Sequence, residues 1–179
     1  RDLRMSRGLG DVYKRQYLAD TGRLDQVSRG VYTLPEVWED EFVSIQERYK
    51  RGVFALDTAL FLHDLTDRTP HKFHMAFPYG YNTSSPKAAG ILCSCKKEPY
   101  YSLGIALVDT PAGNTVRAYN AEKTLCEILK PISHTDIQII TDAFKRYAGR
   151  KDKNIPLLSE YAHQLRVEKR LRPYLEVLL

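Results

Sequence analysis

Histidine and aspartate side chains stand close together between residues 63 and 74. The set consists of His63, Asp64, Asp67, His71 and His74. Imidazole and carboxylate groups are ligands for a divalent ion that activates water, so one hypothesis is a metal-dependent hydrolase. His71 and His74 would fall on opposite sides of a predicted strand or outside it, and no second dense group of ligands occurs in the sequence. We therefore expect no metal and no cofactor, with the hydrolase as a rival hypothesis.

Two shorter motifs also suggest chemistry. Cys93 and Cys95 are separated by one serine and could bind zinc or form a redox couple, but structural zinc needs a second pair of ligands. We interpret both cysteines as half-buried small apolar residues. Glu122 and Lys123 weakly resemble the carboxylate and lysine of a metal-dependent nuclease, yet the supporting spacing is missing, and we place them on a helix surface. With no phosphate-binding glycine loop and no nucleophile elbow, we expect no catalytic residues and no enzymatic activity.

A short basic hairpin is predicted near the beginning of the chain. Tyr17–Gly22 has the pattern of a last helical turn that ends at glycine. Two β-prone runs follow, Arg23–Val27 and Val31–Leu34, and Ser28–Gly30 between them suits a tight turn. A helix followed by such a hairpin is typical of a winged helix, although any hairpin that follows a helix shows the same pattern.

In a winged helix, this hairpin would contact DNA. Arg29 at the tip would approach a phosphate or the minor groove, while Arg23 and Ser28 would contact the backbone and fix the register. The sequence thus predicts a DNA-binding surface at the hairpin.

A second basic group follows a predicted amphipathic helix near the end of the chain. Its members are Lys145, Arg146, Arg150, Lys151 and Lys153. They could form a nucleic-acid-binding or antitoxicity surface. Two alternatives are a solvated helix face and cations that interact with the negative end of the helix dipole.

The composition is that of a folded protein. Apolar residues make up 43% and charged residues 27% of the 179 residues, which excludes an intrinsically disordered chain. No apolar run approaches the roughly 20 residues of a membrane helix, and no secretory signal is present, so we expect a cytoplasmic protein without membrane contact. The net charge of +5 suggests an anionic partner.

The patterns predict an α+β protein with a small antiparallel sheet and flanking helices. Three segments are expected: a non-native leader over 1–16, a truncated winged-helix remnant over 17–35, and a larger domain over 36–179. Helices are predicted over 36–51, 55–65, 120–130 and 136–148, with one or two more after Pro156; strands are predicted over 72–77, 101–109 and 115–119.

Seven segments in order resemble the AbiEi (abortive infection) antitoxin family. They are Gln26–Tyr32, Glu41–Leu65, Asp67–Pro70, Phe77–Asn82, Tyr119–Leu125, Asp136–Tyr147 and Arg150–Asn154. The resemblance extends over nearly the whole chain after Gln16.

The resemblance implies an antitoxin of a type IV toxin–antitoxin system that represses its own operon. An N-terminal winged helix-turn-helix would bind inverted repeats in the promoter, through residues that correspond to Arg23, Ser28, Arg29, Gly30 and Tyr32. The remaining domain would oppose a nucleotidyltransferase toxin without forming a stable complex, and self-association is expected on the repeats. An alternative is a nucleic-acid- or nucleotide-binding module that masks a substrate of the toxin.

Overall fold

The computed structural model describes residues 25–28, 31–33 and 40–178. The chain divides into two compact units, Arg1–Arg48 and Tyr49–Leu179. The predicted leader over 1–16 lies outside the described residues, as does Pro35, after which the domain boundary was predicted.

The first unit contains a two-stranded hairpin and a helix. Strands β1 (Asp25–Ser28) and β2 (Val31–Thr33) pair antiparallel, with an irregularity in register between Gln26 and Ser28. This pairing confirms the predicted hairpin, whereas the winged helix stays a prediction because residues 1–24 lie outside the described range. Helix α1 (Glu41–Arg48) begins after Asp40, whose side chain accepts a hydrogen bond from the Phe42 N–H.

The second unit is built on a five-stranded sheet. Its strands are β3 (Val53–Phe54), β4 (His74–Pro78), β5 (Leu92–Lys96), β6 (Ile105–Asp109) and β7 (Thr115–Tyr119). They lie in the order β5-β4-β3-β7-β6. β4 pairs parallel with β5 and β3 pairs parallel with β7, while the other two pairs are antiparallel.

The prediction of an antiparallel sheet is therefore wrong, because the sheet contains both parallel and antiparallel pairs. Parallel neighbours need a crossover connection, and helix α3 (Ser84–Ala88) lies in the segment that connects β4 to β5. The antiparallel pair β6 and β7 is joined by Thr110–Asn114, as the loop signal predicted.

Five longer helices complete the second unit. They are α2 (Leu56–Leu62), α4 (Ala121–Ile128), α5 (Ile137–Ala148), α6 (Ile155–Gln164) and α7 (Glu168–Leu178), with a 3₁₀ turn over Pro131–Ser133 between α4 and α5. Asn120, Asp136 and Asn154 cap α4, α5 and α6 by accepting backbone N–H hydrogen bonds. The predicted α+β class is confirmed.

The main core lies among the helices. Leu125, Phe144, Leu158 and Leu171 come from four different helices and are almost completely buried in one cluster. The smaller cluster of Val53, Ala55, Ala76 and Tyr119 lies at the sheet. Helix α4 is buried along its whole length, which accounts for the charged side chains that it places inside the protein. Over the described residues, no helix combines the length and apolar character that a membrane crossing requires.

Candidate functional site

The structure describes only part of the predicted DNA-binding hairpin. Ser28 ends β1, and Tyr32 lies in β2 opposite Gln26. Arg23, Arg29 and Gly30 lie outside the described residues. The DNA-binding surface stays a prediction.

The predicted basic group lies at the end of helix α5 and in the loop that follows. Arg146 forms an ion pair with Asp67. Arg150 holds Asp152 by two hydrogen bonds of 2.7 and 2.8 Å and donates a third, of 2.7 Å, to the His63 carbonyl. Two of the five cations therefore have a local acidic partner, and the surface is less cationic than the sequence suggests.

The remaining three cations of this group are exposed lysines. Lys145 lies in the last turn of α5, and Lys151 and Lys153 lie in the loop. Lys153 Nζ donates a 2.9 Å hydrogen bond to the Ala148 carbonyl at the end of the helix. This contact agrees with the interpretation that Lys153 interacts with the negative end of the helix dipole.

The residues of the rival hydrolase hypothesis do not form a metal-binding group. His63 lies 2.7 Å from the Tyr119 carbonyl, which can only accept, so Nε2 carries the proton. Burial lowers the pKa of His63 and keeps its ring neutral. Asp67 is paired with Arg146 on the surface. Within the described ranges, no three His, Cys, Asp or Glu side chains are arranged to hold a metal ion.

One cleft brings together His63 and Asp64 of the predicted metal ligands and Arg150 of the predicted basic group. A space of about 510 Å³ is lined by His63 and Asp64, by Asp109 at the end of β6 and Thr110 at the start of the β6–β7 connection, and by Arg150. The hydrogen bonds of Arg150 to Asp152 and to the His63 carbonyl fix its guanidinium at this wall. The contact is one that sequence spacing could not predict, since 87 positions separate His63 from Arg150.

The two cysteines of β5 differ in exposure. Cys93 is half-buried, as predicted, and its thiol donates a 3.4 Å hydrogen bond to the Ile91 carbonyl. Partial burial raises the pKa of Cys93. Cys95 is exposed, so its predicted half-burial is wrong. Cys126 is buried in α4, which raises its pKa to about 12 and makes its thiol unreactive.

The placement of Glu122 and Lys123 on a helix surface is wrong. Both lie in α4, where Glu122 is 8% exposed and Lys123 is fully buried. Glu122 Oε1 accepts a 2.7 Å hydrogen bond from the hydroxyl of buried Tyr147. The same hydroxyl accepts one of 2.7 Å from the Asn154 N–H, so it joins α4 and α5 to the start of α6.

Lys123 is the centre of a buried polar network. Its Nζ donates hydrogen bonds of 2.5 and 2.6 Å to the carbonyls of Tyr100 and Leu103, and it lies 3.3 Å from the centre of the Tyr119 ring. The same atom is 3.9 Å from a carboxylate oxygen of Glu127, one turn further along α4. Burial lowers the pKa of Lys123 to about 7.

Lys96 joins this network from the end of β5. It forms an ion pair with Glu127 and lies 4.9 Å from the centre of the Tyr119 ring. Burial lowers the pKa of Lys96 too, against the opposing attraction of Glu127. Two lysines thus share one carboxylate.

Gly104 allows the chain to pass close to this network. Its φ is +68°, and a Cβ there would come within 3.0 Å of Asn120 Oδ1 and 3.1 Å of Lys123 Cβ. A side chain at position 104 would push this segment away from Lys123. The hydrogen bond that the Leu103 carbonyl accepts from the Lys123 ammonium would then be lost. The requirement for glycine therefore has both a conformational and a steric cause.

The network of Lys96, Lys123 and Glu127 was not predicted from the sequence. At 3.6 residues per turn, Leu125, Cys126, Ile128 and Leu129 lie on one side of α4, and Lys123 and Glu127 lie on the other. This pattern is typical of a half-exposed helix, so the sequence contains no signal that the charged side is buried as well.

Neither a protein-family model nor a curated protein matches the sequence.

Proposed function

We propose that this chain is the antitoxin of a type IV toxin–antitoxin pair and that it represses transcription of its own operon. The proposal rests first on the seven segments that resemble the AbiEi family in order. It has support from the hairpin, since β1 and β2 pair with only Arg29 and Gly30 between them in the sequence. A two-residue connection of this kind suits insertion into a DNA groove.

In this proposal the two activities belong to different units. The hairpin of Arg1–Arg48 would bind inverted repeats in the promoter as two or more copies of the chain. The unit Tyr49–Leu179 would oppose a nucleotidyltransferase toxin in the cytoplasm, without a stable complex and without catalysing a reaction.

Promoter binding is tested with a gel-shift titration at two salt concentrations. The variant Arg23→Ala/Arg29→Ala should bind every DNA sequence more weakly, and its affinity should depend less on salt because two phosphate contacts are lost. Arg166→Ala/Arg172→Ala is the control, because it removes the same charge from exposed positions of the other unit. Unchanged affinity of the hairpin variant would remove the hairpin from the proposal.

Antitoxicity is tested by co-expression with the product of the reading frame that follows this gene, which the proposal expects to be a nucleotidyltransferase toxin. Growth should be restored by the wild type and also by Arg23→Ala/Arg29→Ala, because the proposal assigns toxin neutralisation to the other unit. Failure of the wild type to restore growth would contradict the antitoxin role, whatever the result of the gel shift.

A further inference from the structure

A second cavity lies beside the buried lysine network. It is lined by residues from the end of β5, the start of α2, the end of α4 and the 3₁₀ turn, and its volume is about 650 Å³. This volume is in the range of sites that hold a small molecule. The cavity lies wholly within the unit Tyr49–Leu179.

Glu127 and Ser94 contribute to the wall of this cavity. Glu127 Oε1 is engaged by the two lysines, whereas Glu127 Oε2 and Ser94 Oγ have almost no accessible surface and no hydrogen-bond partner among the described residues. These two oxygen atoms therefore lie behind the surface of the cavity, where a ligand cannot reach them.

The cavity also has an excess of positive charge. Lys96, Lys97 and Lys130 line it together with one carboxylate, that of Glu127. His74 adds no charge near neutral pH, because burial lowers its pKa. Three cations against one anion favour a ligand that has an anionic group.

The remaining wall is apolar and partly exposed. Tyr100 and Ile132 are 40% and 81% exposed, and Leu56 lies deeper. Exposed apolar side chains beside a cationic rim suit a ligand with a flat, weakly polar part.

We propose that this cavity binds a nucleotide. The phosphates lie at Lys96, Lys97 and Lys130, and the base lies against Tyr100 and Ile132. A nucleotide fits both properties of the wall, because it combines an anionic group with a flat ring. This site is separate from the basic group at the end of α5 and does not depend on the hairpin.

The test is isothermal titration calorimetry of the full chain with ATP, GTP and inorganic triphosphate at constant ionic strength. The variant Lys97→Gln/Lys130→Gln should bind the nucleotides roughly tenfold or more weakly, because it loses two charge-assisted contacts. Lys50→Gln/Lys169→Gln removes the same charge from exposed positions outside both the cavity and the basic group at the end of α5, and it should stay within about twofold of the wild type. Equal losses in both variants would mean non-specific attraction and would overturn the proposal.

Two further measurements distinguish a site that binds a nucleotide from one that binds any polyanion. Tyr100→Ala should weaken nucleotide binding, because the base loses the ring against which it lies, and should leave triphosphate binding unchanged. The hydrogen bond from Lys123 goes to the backbone carbonyl of Tyr100, which the substitution keeps. If triphosphate binds as tightly as both nucleotides, or if none of the three binds, the nucleotide assignment is wrong. The hairpin variant Arg23→Ala/Arg29→Ala should retain nucleotide binding, so failure of this site and failure of promoter binding can be told apart.

Discussion

Lys123 shows how a charged side chain can lie completely inside this protein. Burying an ammonium group costs several kcal/mol even after relaxation. Two hydrogen bonds to carbonyls return roughly 1.5–3 kcal/mol each, and a desolvated cation–π contact adds about 2 kcal/mol. These gains and the nearby Glu127 offset only part of the burial cost, which agrees with a pKa lowered to about 7.

The lowered pKa predicts a pH dependence of stability. A folded-state pKa of about 7, against 10.5 for an ordinary lysine, means that the unfolded chain binds the proton more tightly. The resulting penalty is complete below pH 7 and disappears as the pH rises towards 10.5. From pH 7 to pH 9 the free energy of unfolding of the wild type should therefore rise by about 2 kcal/mol relative to that of Lys123→Met.

Urea unfolding at the two pH values measures this difference. Subtracting the Lys123→Met values removes the contributions of other groups that titrate in this range, among them Lys96. Lys145→Met is the matched control, because Lys145 is exposed on α5 and should give no difference in pH dependence from the wild type. Parallel pH profiles for wild type and Lys123→Met would show that the ammonium keeps its ordinary pKa.

At the scale of elements, helix α5 illustrates the part of the fold that local chemistry controls. Asp136 accepts a 2.7 Å hydrogen bond from the Gln138 N–H, and Ile140, Phe144 and Tyr147 recur at spacings of three and four on the buried face. The cap satisfies one of the N–H groups that a helix leaves without a partner. The same pattern predicted this helix from the sequence.

Removing that cap should destabilise the protein moderately. Asp136→Ala should lower the free energy of unfolding by about 1 kcal/mol, because the first turn loses its acceptor. Asp142→Ala in the same helix removes an exposed aspartate away from the helix end and should change stability by less than about 0.5 kcal/mol. Equal effects of the two substitutions in thermal or urea unfolding would argue against the capping role.

At the scale of the molecule, the two compact units suggest separable tasks. Tyr49–Leu179 contains both the helical core and the cluster at the sheet. The proposed promoter contacts, in contrast, all come from Arg1–Arg48.

A fragment of residues 49–179 should therefore fold by itself. We expect a single cooperative unfolding transition by circular dichroism, complete loss of promoter binding, and retained toxin neutralisation in the co-expression assay. A fragment with no cooperative transition would show that the first unit is needed for folding of the second.

The sequence by itself determined the elements that depend on neighbouring residues. The hairpin of β1 and β2, the β6–β7 pair around Thr110–Asn114, and the capped helices α4 and α5 were predicted, because turn residues and caps act within a few positions of the chain. Strand β5 was missed, since Leu92–Lys96 has no β-branched or aromatic residue.

Tertiary structure alone decided the parallel pairings and the burial of Lys123. Phe54 pairs with Ala118, and the partners of Lys123 Nζ include carbonyls 20 and 23 positions away. Pairings of this kind depend on which elements the whole chain brings together, and a lysine in the sequence has the same appearance whether the surrounding elements bury it or leave it in water.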